Sequence, residues 1–308
     1  MIRLSAREAM PQHLRGGIIA LGNFDGFHLG HQAVAGEALA WARAEGRPAI
    51  VATFDPHPVR FFAPDTPPFR LTTLDQRAEL FAAAGADAML VFEFDAALAA
   101  TTAEAFVQDL LAADLGVAGV VTGEDFTFGK GRAGNVAALV QLGASCGLRA
   151  RAVGPVSDAD GVISSSRIRE ALRSGDCATA ARLLTRPFAL RGEVRHGAKL
   201  GRTIGYPTAN LEMGSYLRPK YGIYAVTGTL PGGQVLRGAA NLGIRPSFEP
   251  PIELLETYFF DFEGDLYGKT LEIALHHYLR EEAKFETLEA LIAQMDKDCA
   301  AARRLLGG

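Results

Sequence analysis

The strongest constraint in this chain is a change of period. Up to about residue 185, short apolar runs alternate with longer stretches of helical periodicity. Gly17-Ile-Ile-Ala-Leu-Gly22, Pro48-Ala-Ile-Val-Ala-Thr-Phe54 and runs near 87–92, 117–122 and 148–153 read as strands, and 30–46, 74–84, 102–114 and 135–146 as helices. Strands separated by helices make βαβ units, hence α/β architecture: a doubly wound parallel sheet with helices on both faces. Ligands of such sheets bind beyond the carboxyl ends of the strands, where the polar, glycine-rich segments of this half fall. After Leu184 the pattern changes. Thr185-Arg-Pro-Phe-Ala reads as a linker, and Leu190–Arg195, Gly222–Thr229, Val235–Leu242, Ile252–Phe262 and Thr270–Leu279 follow as strands between Gly and Pro turns. Pro231-Gly232-Gly233 and Glu263-Gly264-Asp265 read as hairpin signals. Successive strands without helices predict an antiparallel sheet or small barrel. The segment 286–305 predicts an amphipathic helix lying against it, with Leu288, Leu291, Ile292 and Met295 on one stripe. A length of 308 residues at about 150 per domain agrees with two domains, expected at 1–185 and 186–308.

Composition removes several function classes. A hydrophobic fraction of 48 % and a charged fraction of 21 % exclude wholesale disorder. No uncharged apolar run approaches the roughly 18 residues of a membrane span, and the charged N-terminus lacks the apolar region of a secretory signal. Cys146, Cys177 and Cys299 are odd in number and far apart. That argues against a disulfide framework or thiolate metal site, and for a reducing, cytoplasmic setting. A net charge of −4 supplies no global attraction to nucleic acid or anionic membrane, so neither is expected as a partner. Any anionic ligand must be held by local geometry.

The densest segment is Gly22-Asn-Phe-Asp-Gly-Phe-His-Leu-Gly-His31, which follows the first strand and opens the first helix. His28 and His31 are three apart, so both imidazoles can leave the first turn on one side. A helix N-terminus favours phosphate through its free N–H groups and dipole, and Gly22, Gly26 and Gly30 let backbone approach a ligand. A purely structural turn and a metal site are the competing readings; zinc would need a third protein ligand, and none has convincing spacing. Ile163-Ser-Ser-Ser-Arg-Ile-Arg169 places a row of hydroxyls and two arginines at another helix start. The serines alone would read as an N-cap. Gly129-Lys-Gly131-Arg-Ala-Gly134 matches a dinucleotide-binding pattern formally but lies well past its strand, and no Ser or Thr follows Lys130 as a P-loop requires.

The histidine segment resembles the signature of the HxGH nucleotidyltransferase superfamily, and the serine–arginine segment resembles its second signature. Thr53-Phe-Asp-Pro-His-Pro58, Gly123-Glu-Asp-Phe-Thr-Phe-Gly-Lys-Gly-Arg-Ala-Gly134, Gly201-Arg-Thr-Ile-Gly-Tyr-Pro-Thr-Ala-Asn210 and Glu256-Thr-Tyr-Phe-Phe-Asp-Phe-Glu-Gly-Asp-Leu-Tyr-Gly268 narrow the likeness. Together they resemble the bacterial bifunctional riboflavin kinase/FMN adenylyltransferase family across nearly the whole chain.

That resemblance implies an N-terminal nucleotidyltransferase domain joined to a C-terminal six-stranded antiparallel β-barrel kinase domain with a C-terminal helix. It implies ATP as co-substrate, Mg²⁺ as cofactor, and riboflavin, FMN and FAD as substrates and products, with small molecules as partners and a homo-oligomer compatible. In the adenylyl half it assigns the ATP phosphates to His28, His31, Gly22, Asn23, Gly30, Ser164, Ser165, Ser166 and Arg169, and the flavin to Phe54, Phe62, Asp125, Phe126 and Phe128. Ordinary core packing is an equal reading of each phenylalanine. In the kinase half it assigns Mg²⁺ to Thr208 and Asn210, hard oxygen donors; an Asn bonding its own backbone in a turn is the plainer alternative. Gly197, Lys199, Gly201 and Arg202 would cover the phosphates, and the two cations could also be simply solvated. Glu256, a carboxylate in an apolar strand and costly there unless paired or functional, would accept the proton of the riboflavin 5′-hydroxyl. Ala198, Leu200, Tyr258 and Ser166 depart from the usual family pattern without removing a residue given a chemical role.

Overall fold

A computed structural model describes residues 1–196, 205–245 and 252–307. Their packing forms two compact units, Met1–Pro67 with Thr73–Ser164, and Pro68–Thr72 with the chain from Ser165 onward.

The first unit is built on six strands: β1 (Ile2–Ser5), β2 (Ile18–Leu21), β3 (Ala49–Asp55), β4 (Ala88–Glu93), β5 (Gly119–Gly123) and β6 (Arg149–Val153). They pair in the order β1-β4-β3-β2-β5-β6, every pair parallel. Between them lie α1 (Leu29–Ala44), α2 (Pro58–Phe62), α3 (Leu74–Ala84), α4 (Ala96–Ala100), a π-wound helix Ala105–Asp114 and α5 (Val136–Ser145). Alternate residues of β2 serve opposite cores. Ile19 and Leu21 pack with Phe106, Leu111 and Leu139, whereas Ile18 and Ala20 pack with Val34, Leu39, Trp41 and Phe81. Burial on both faces explains why these strands read as continuous apolar runs. Because β2 lies between β3 and β5, the connections diverge at its carboxyl end, which opens the crevice where ligands of doubly wound sheets bind. The edge strand β1 escaped the sequence reading: four residues, one of them arginine, carry too little pattern. A small hairpin, β7 (Ser157–Asp158) with β8 (Gly161–Val162), precedes the second unit.

The second unit opens with α6 (Ser165–Ser174) and α7 (Cys177–Leu184), and continues through β9 (Phe188–Glu193), β10 (Thr208–Glu212), β11 (Gly222–Thr229), β12 (Val235–Arg245), β13 (Ile252–Phe259) and β14 (Thr270–Arg280), ending in α8 (Leu288–Leu305). The strands pair antiparallel in the order β10-β13-β12-β11-β14-β9. The Arg195 N–H donates to the Asn210 carbonyl at 2.9 Å, joining the two ends of the sheet. At the turn of Pro231-Gly232-Gly233, both glycines take positive φ, 97° and 90°, which L side chains resist.

Three expectations are corrected here. Glu263-Gly264-Asp265 does not close a hairpin, because β13 and β14 flank it in sequence but are not neighbours in the sheet. A turn signal marks a chain reversal and does not say which strand receives the returning chain. Thr208 and Asn210 belong to strand β10 and not to a turn, the plainer alternative for the asparagine; Pro207 needs no N–H because pairing begins one residue later. The packed stripe of α8 lies farther along the helix than expected. Ala302, Cys299 and Leu306 meet Ala225, Ala239, Tyr258 and Phe260, while of the expected stripe Leu291, Ile292 and Met295 are half-buried and Leu288 is 52 % exposed. The Arg280 guanidinium clasps the Asp298 carboxylate through Nε and Nη2 and holds that register.

Candidate active sites

The first site is the loop from β2 to α1. Its backbone bends at Phe24, Gly26 and Phe27, with φ of 48°, 90° and 44°. The two rings hold it there. Phe24 and Phe27 are buried and meet Phe81 edge-on at 5.8 and 5.0 Å. Beneath them the Asn23 carbonyl accepts from the Thr53 hydroxyl at 2.8 Å and from the Arg77 guanidinium at 3.1 Å, and Arg77 also donates to Thr53 Oγ1 at 2.7 Å. His28 is the N-cap of α1, and its Nδ1 accepts from the His31 N–H at 3.4 Å. The two imidazoles stack with centroids 3.6 Å apart and planes 21° from parallel. Gly30 leaves room for this stack: a Cβ there would lie 3.2 Å from the His28 ring and press on it. A Cβ on Gly22 would press on the Phe24 ring at the same distance, 3.2 Å. The expected pair is therefore assembled, at the strand end where anions bind such sheets. No group of three His, Cys, Asp or Glu able to hold a metal occurs among the described residues.

Seven other phenylalanines of this unit form a ribbon of ring contacts. It runs from Phe62 through Phe94 to Phe54, then Phe92, Phe106, Phe128 and Phe126. Phe54 and Phe128 are core members at 8 and 6 % exposure, whereas Phe62 is 68 % exposed. Phe126 is half-buried and Asp125 exposed. A flat apolar ligand thus has Phe62 and Phe126 as its accessible surfaces, with the other two behind them.

Ser164 ends the first unit, and Ser165 and Ser166 begin α6 in the second. Within the second unit the Arg169 Nε donates to the Phe69 carbonyl at 2.9 Å, and its guanidinium lies 5.1 Å from the Phe69 ring centre. One arm of Arg169 is thereby oriented by the Pro68–Thr72 segment.

The second site lies on one face of the barrel. Register sets Asn210 of β10 and Asn241 of β12 directly opposite Glu256 of β13, and sets Thr208 and Ala239 opposite Tyr258 one step along. Residues opposite one another on antiparallel strands share a face, so these side chains form two adjacent rows. Asn210 is buried, and neither its Oδ1 nor that of Asn241 accepts a hydrogen bond from any described residue. Helix α8 covers the next row, where the Tyr206 hydroxyl donates to Asp296 and the Tyr206 ring meets Tyr258 at 4.9 Å. Burial, then the Asp296 contact, raises the Tyr206 pKa and keeps the phenol protonated. Beside Thr208 a cavity is lined by Val194, Pro207, Phe259, Leu266 and Tyr267. The predicted phosphate-covering residues Gly197, Lys199, Gly201 and Arg202 lie outside the described residues.

Three participants escaped the sequence reading. Thr53 and Arg77 act through a backbone carbonyl, which no motif records. Asn241 had a signal that could have found it, a lone amide inside the apolar run Ala239-Ala-Asn-Leu242.

With the two sites in place, comparison with known proteins is direct. A family described as FAD synthetase matches residues 10–167, and one described as riboflavin kinase matches 184–306. A bifunctional riboflavin kinase/FMN adenylyltransferase of Escherichia coli K12 is 38 % identical over 292 residues, covering 95 % of this chain and 93 % of its own. The Pseudomonas fluorescens protein of that name is 40 % identical over 297 residues, covering 96 and 94 %. A crystal structure titled macrolide-efflux protein, from Streptococcus pneumoniae, superposes with a TM-score of 0.86 at 30 % identity over 97 % of each chain. That title describes the other protein; among the described residues here, no helix is long and apolar enough to cross a membrane. Two family matches in chain order, and relatives of this identity along nearly the whole length, settle the kinship: the chain belongs to the bifunctional riboflavin kinase/FMN adenylyltransferase family.

Proposed function

We propose that this chain makes both flavin cofactors in sequence, riboflavin plus ATP giving FMN and ADP, then FMN plus ATP giving FAD and pyrophosphate. The observation that carries this reading is the presence of two separate constellations, the His28–His31 stack beyond β2 and the Asn210–Glu256 row of the barrel. Functional segments 1–185 and 186–308 follow, one for each reaction.

In the adenylyl half the FMN phosphate attacks the α-phosphorus of ATP, and pyrophosphate leaves. The attacking group is already an anion, so the protein needs no nucleophile of its own. Its work is positioning and neutralising charge. His28, His31 and the free N–H groups at the start of α1 receive the phosphates, with Gly22, Asn23 and Gly30 giving close backbone approach. Ser164, Ser165, Ser166 and Arg169 supply the second clamp, and Phe54, Phe62, Phe126 and Phe128, with Asp125, receive the isoalloxazine ring.

In the kinase half Glu256 takes the proton of the 5′-hydroxyl as that oxygen reaches the γ-phosphorus. The buried Asn210 Oδ1 and the Thr208 hydroxyl are hard donors that fit Mg²⁺, which when bound neutralises the nucleotide phosphates. Gly197, Lys199, Gly201 and Arg202 complete the phosphate cover. Net charge and three free cysteines support a reducing cytoplasm and no nucleic-acid partner.

Incubation with riboflavin, ATP and Mg²⁺, followed by chromatography, tests the reading: FMN should appear first and FAD after it. His31→Ala should lower FAD formation by about 10²–10³-fold while leaving FMN formation near wild type. Glu256→Gln should do the reverse when FMN is supplied. Loss of both reactions in either well-folded variant would contradict the two-site assignment.

A further inference from the structure

Glu256 stands on the middle strand of three, with Asn210 on one side and Asn241 on the other. Both amide oxygens are shut from water and accept nothing from the described residues. Such an oxygen costs free energy until a donor or cation meets it. The kinase reading gives Asn210 its partner in the metal and leaves that of Asn241 unnamed.

In-line phosphoryl transfer sets the leaving nucleotide and the entering alcohol on opposite sides of phosphorus. In the kinase reading the nucleotide side is marked by Thr208 and Asn210 of β10. With the carboxylate between them, Asn241 borders the side left for the alcohol. That alcohol ends a polyol chain, which presents hydroxyl donors on adjacent carbons. While one hydroxyl faces Glu256, the next lies within reach of a side chain one strand away, about 4.8 Å off.

We propose that Asn241 is a substrate-positioning residue of the kinase site, its Oδ1 accepting a hydrogen bond from the 4′-hydroxyl of the ribityl chain. This rests on the kinase reading above. It makes Asn241 the group that aligns the 5′-oxygen and discriminates a polyol from a deoxygenated chain.

The test uses the full chain, riboflavin and 4′-deoxyriboflavin, with kcat/KM for phosphorylation as readout. The wild type should prefer riboflavin about tenfold or more. Asn241→Ala should lose about tenfold on riboflavin, treat the two flavins alike, keep its KM for ATP, and make FAD from supplied FMN at the wild-type rate. Wild-type discrimination retained in Asn241→Ala, or an equal loss on both flavins, would overturn the proposal. Should the alanine variant not fold, equal kcat/KM for the two flavins in the wild type overturns it alone. Glu256→Gln run in parallel separates the two ideas: full FMN formation there refutes the kinase site itself, whereas its loss beside unchanged discrimination in Asn241→Ala refutes only the role of Asn241.

Discussion

Arg77 shows how much of the first site's loop depends on a side chain buried beneath it. It is 3 % exposed, yet its guanidinium holds the Asn23 carbonyl and the Thr53 hydroxyl, and its other arm lies 3.9 Å from the Asp55 carboxylate. Truncation would take a donor from the Asn23 carbonyl and the buried Thr53 hydroxyl and leave a cavity, so Arg77→Ala should destabilise the protein by about 1–3 kcal/mol. It should also slow FAD formation, chiefly in kcat, because the loop's aim shifts and its donors remain. Arg77→Lys should recover part of the loss, since an ammonium can reach one acceptor but lacks the planar fork. Denaturant unfolding with steady-state kinetics of FAD formation measures both; an unchanged rate in a destabilised Arg77→Ala would make the residue structural only. The histidines were legible because imidazoles at i and i+3 of a helix start mean something in any fold. Arg77 was not, because its partner is a main-chain atom brought near by the sheet.

At the scale of elements, strands β2 to β6 of the first unit were legible from their apolar runs, each placed within a few residues. What stayed hidden had too little pattern or depended on partners. Strand β10 is five residues behind a proline, and its strand character comes from pairing with β13. The site row was hidden for the same reason: Asn210, Glu256 and Asn241 are far apart in sequence and meet through register alone. Strand β14 carries a consequence for pH. His276 lies half-buried there, with Nε2 2.9 Å from the Thr227 hydroxyl. Burial first, and the neighbouring His277 second, hold its pKa below the ordinary value of about 6.5. Its neutral form therefore belongs to the folded state, and the unfolded chain binds the proton more readily. Stability from this group is complete above the unfolded value and is lost as pH falls through the lowered folded one. The melting temperature should hold level near neutrality and decline towards pH 5, and His276→Gln should flatten the decline. An identical slope in that variant would assign the acid sensitivity elsewhere.

The whole molecule has two seams that need not coincide. The reactions are assigned to 1–185 and 186–308, while the packing divides at Ser164 and Ser165 and draws Pro68–Thr72 into the second unit. The reason lies in particular side chains. Leu183 and Leu184 of α7 are 0 and 1 % exposed, and the helix packs on β9 and β14. Lys220 N–H donates to the Leu172 carbonyl of α6 at 2.9 Å. Arg70 N–H donates to the Ser215 carbonyl at 3.2 Å, and Leu217 N–H to the Arg70 carbonyl at 2.8 Å. Sequence periodicity placed the boundary where helices give way to strands; it could not show that the last two helices belong to the strands that follow. A fragment 186–308 would lack Leu183 and Leu184, and with them apolar burial worth about 1.5–3 kcal/mol for each side chain. It should therefore unfold at clearly lower denaturant than 165–308, and 165–308, lacking its five-residue strap, at lower denaturant than the same unit within the intact chain. Riboflavin phosphorylation should follow the same order if Glu256 and Asn210 keep their register only while the barrel is whole. Equal midpoints for the two fragments would mean that α6 and α7 ride on the barrel without supporting it, and the functional seam would then be the structural one as well.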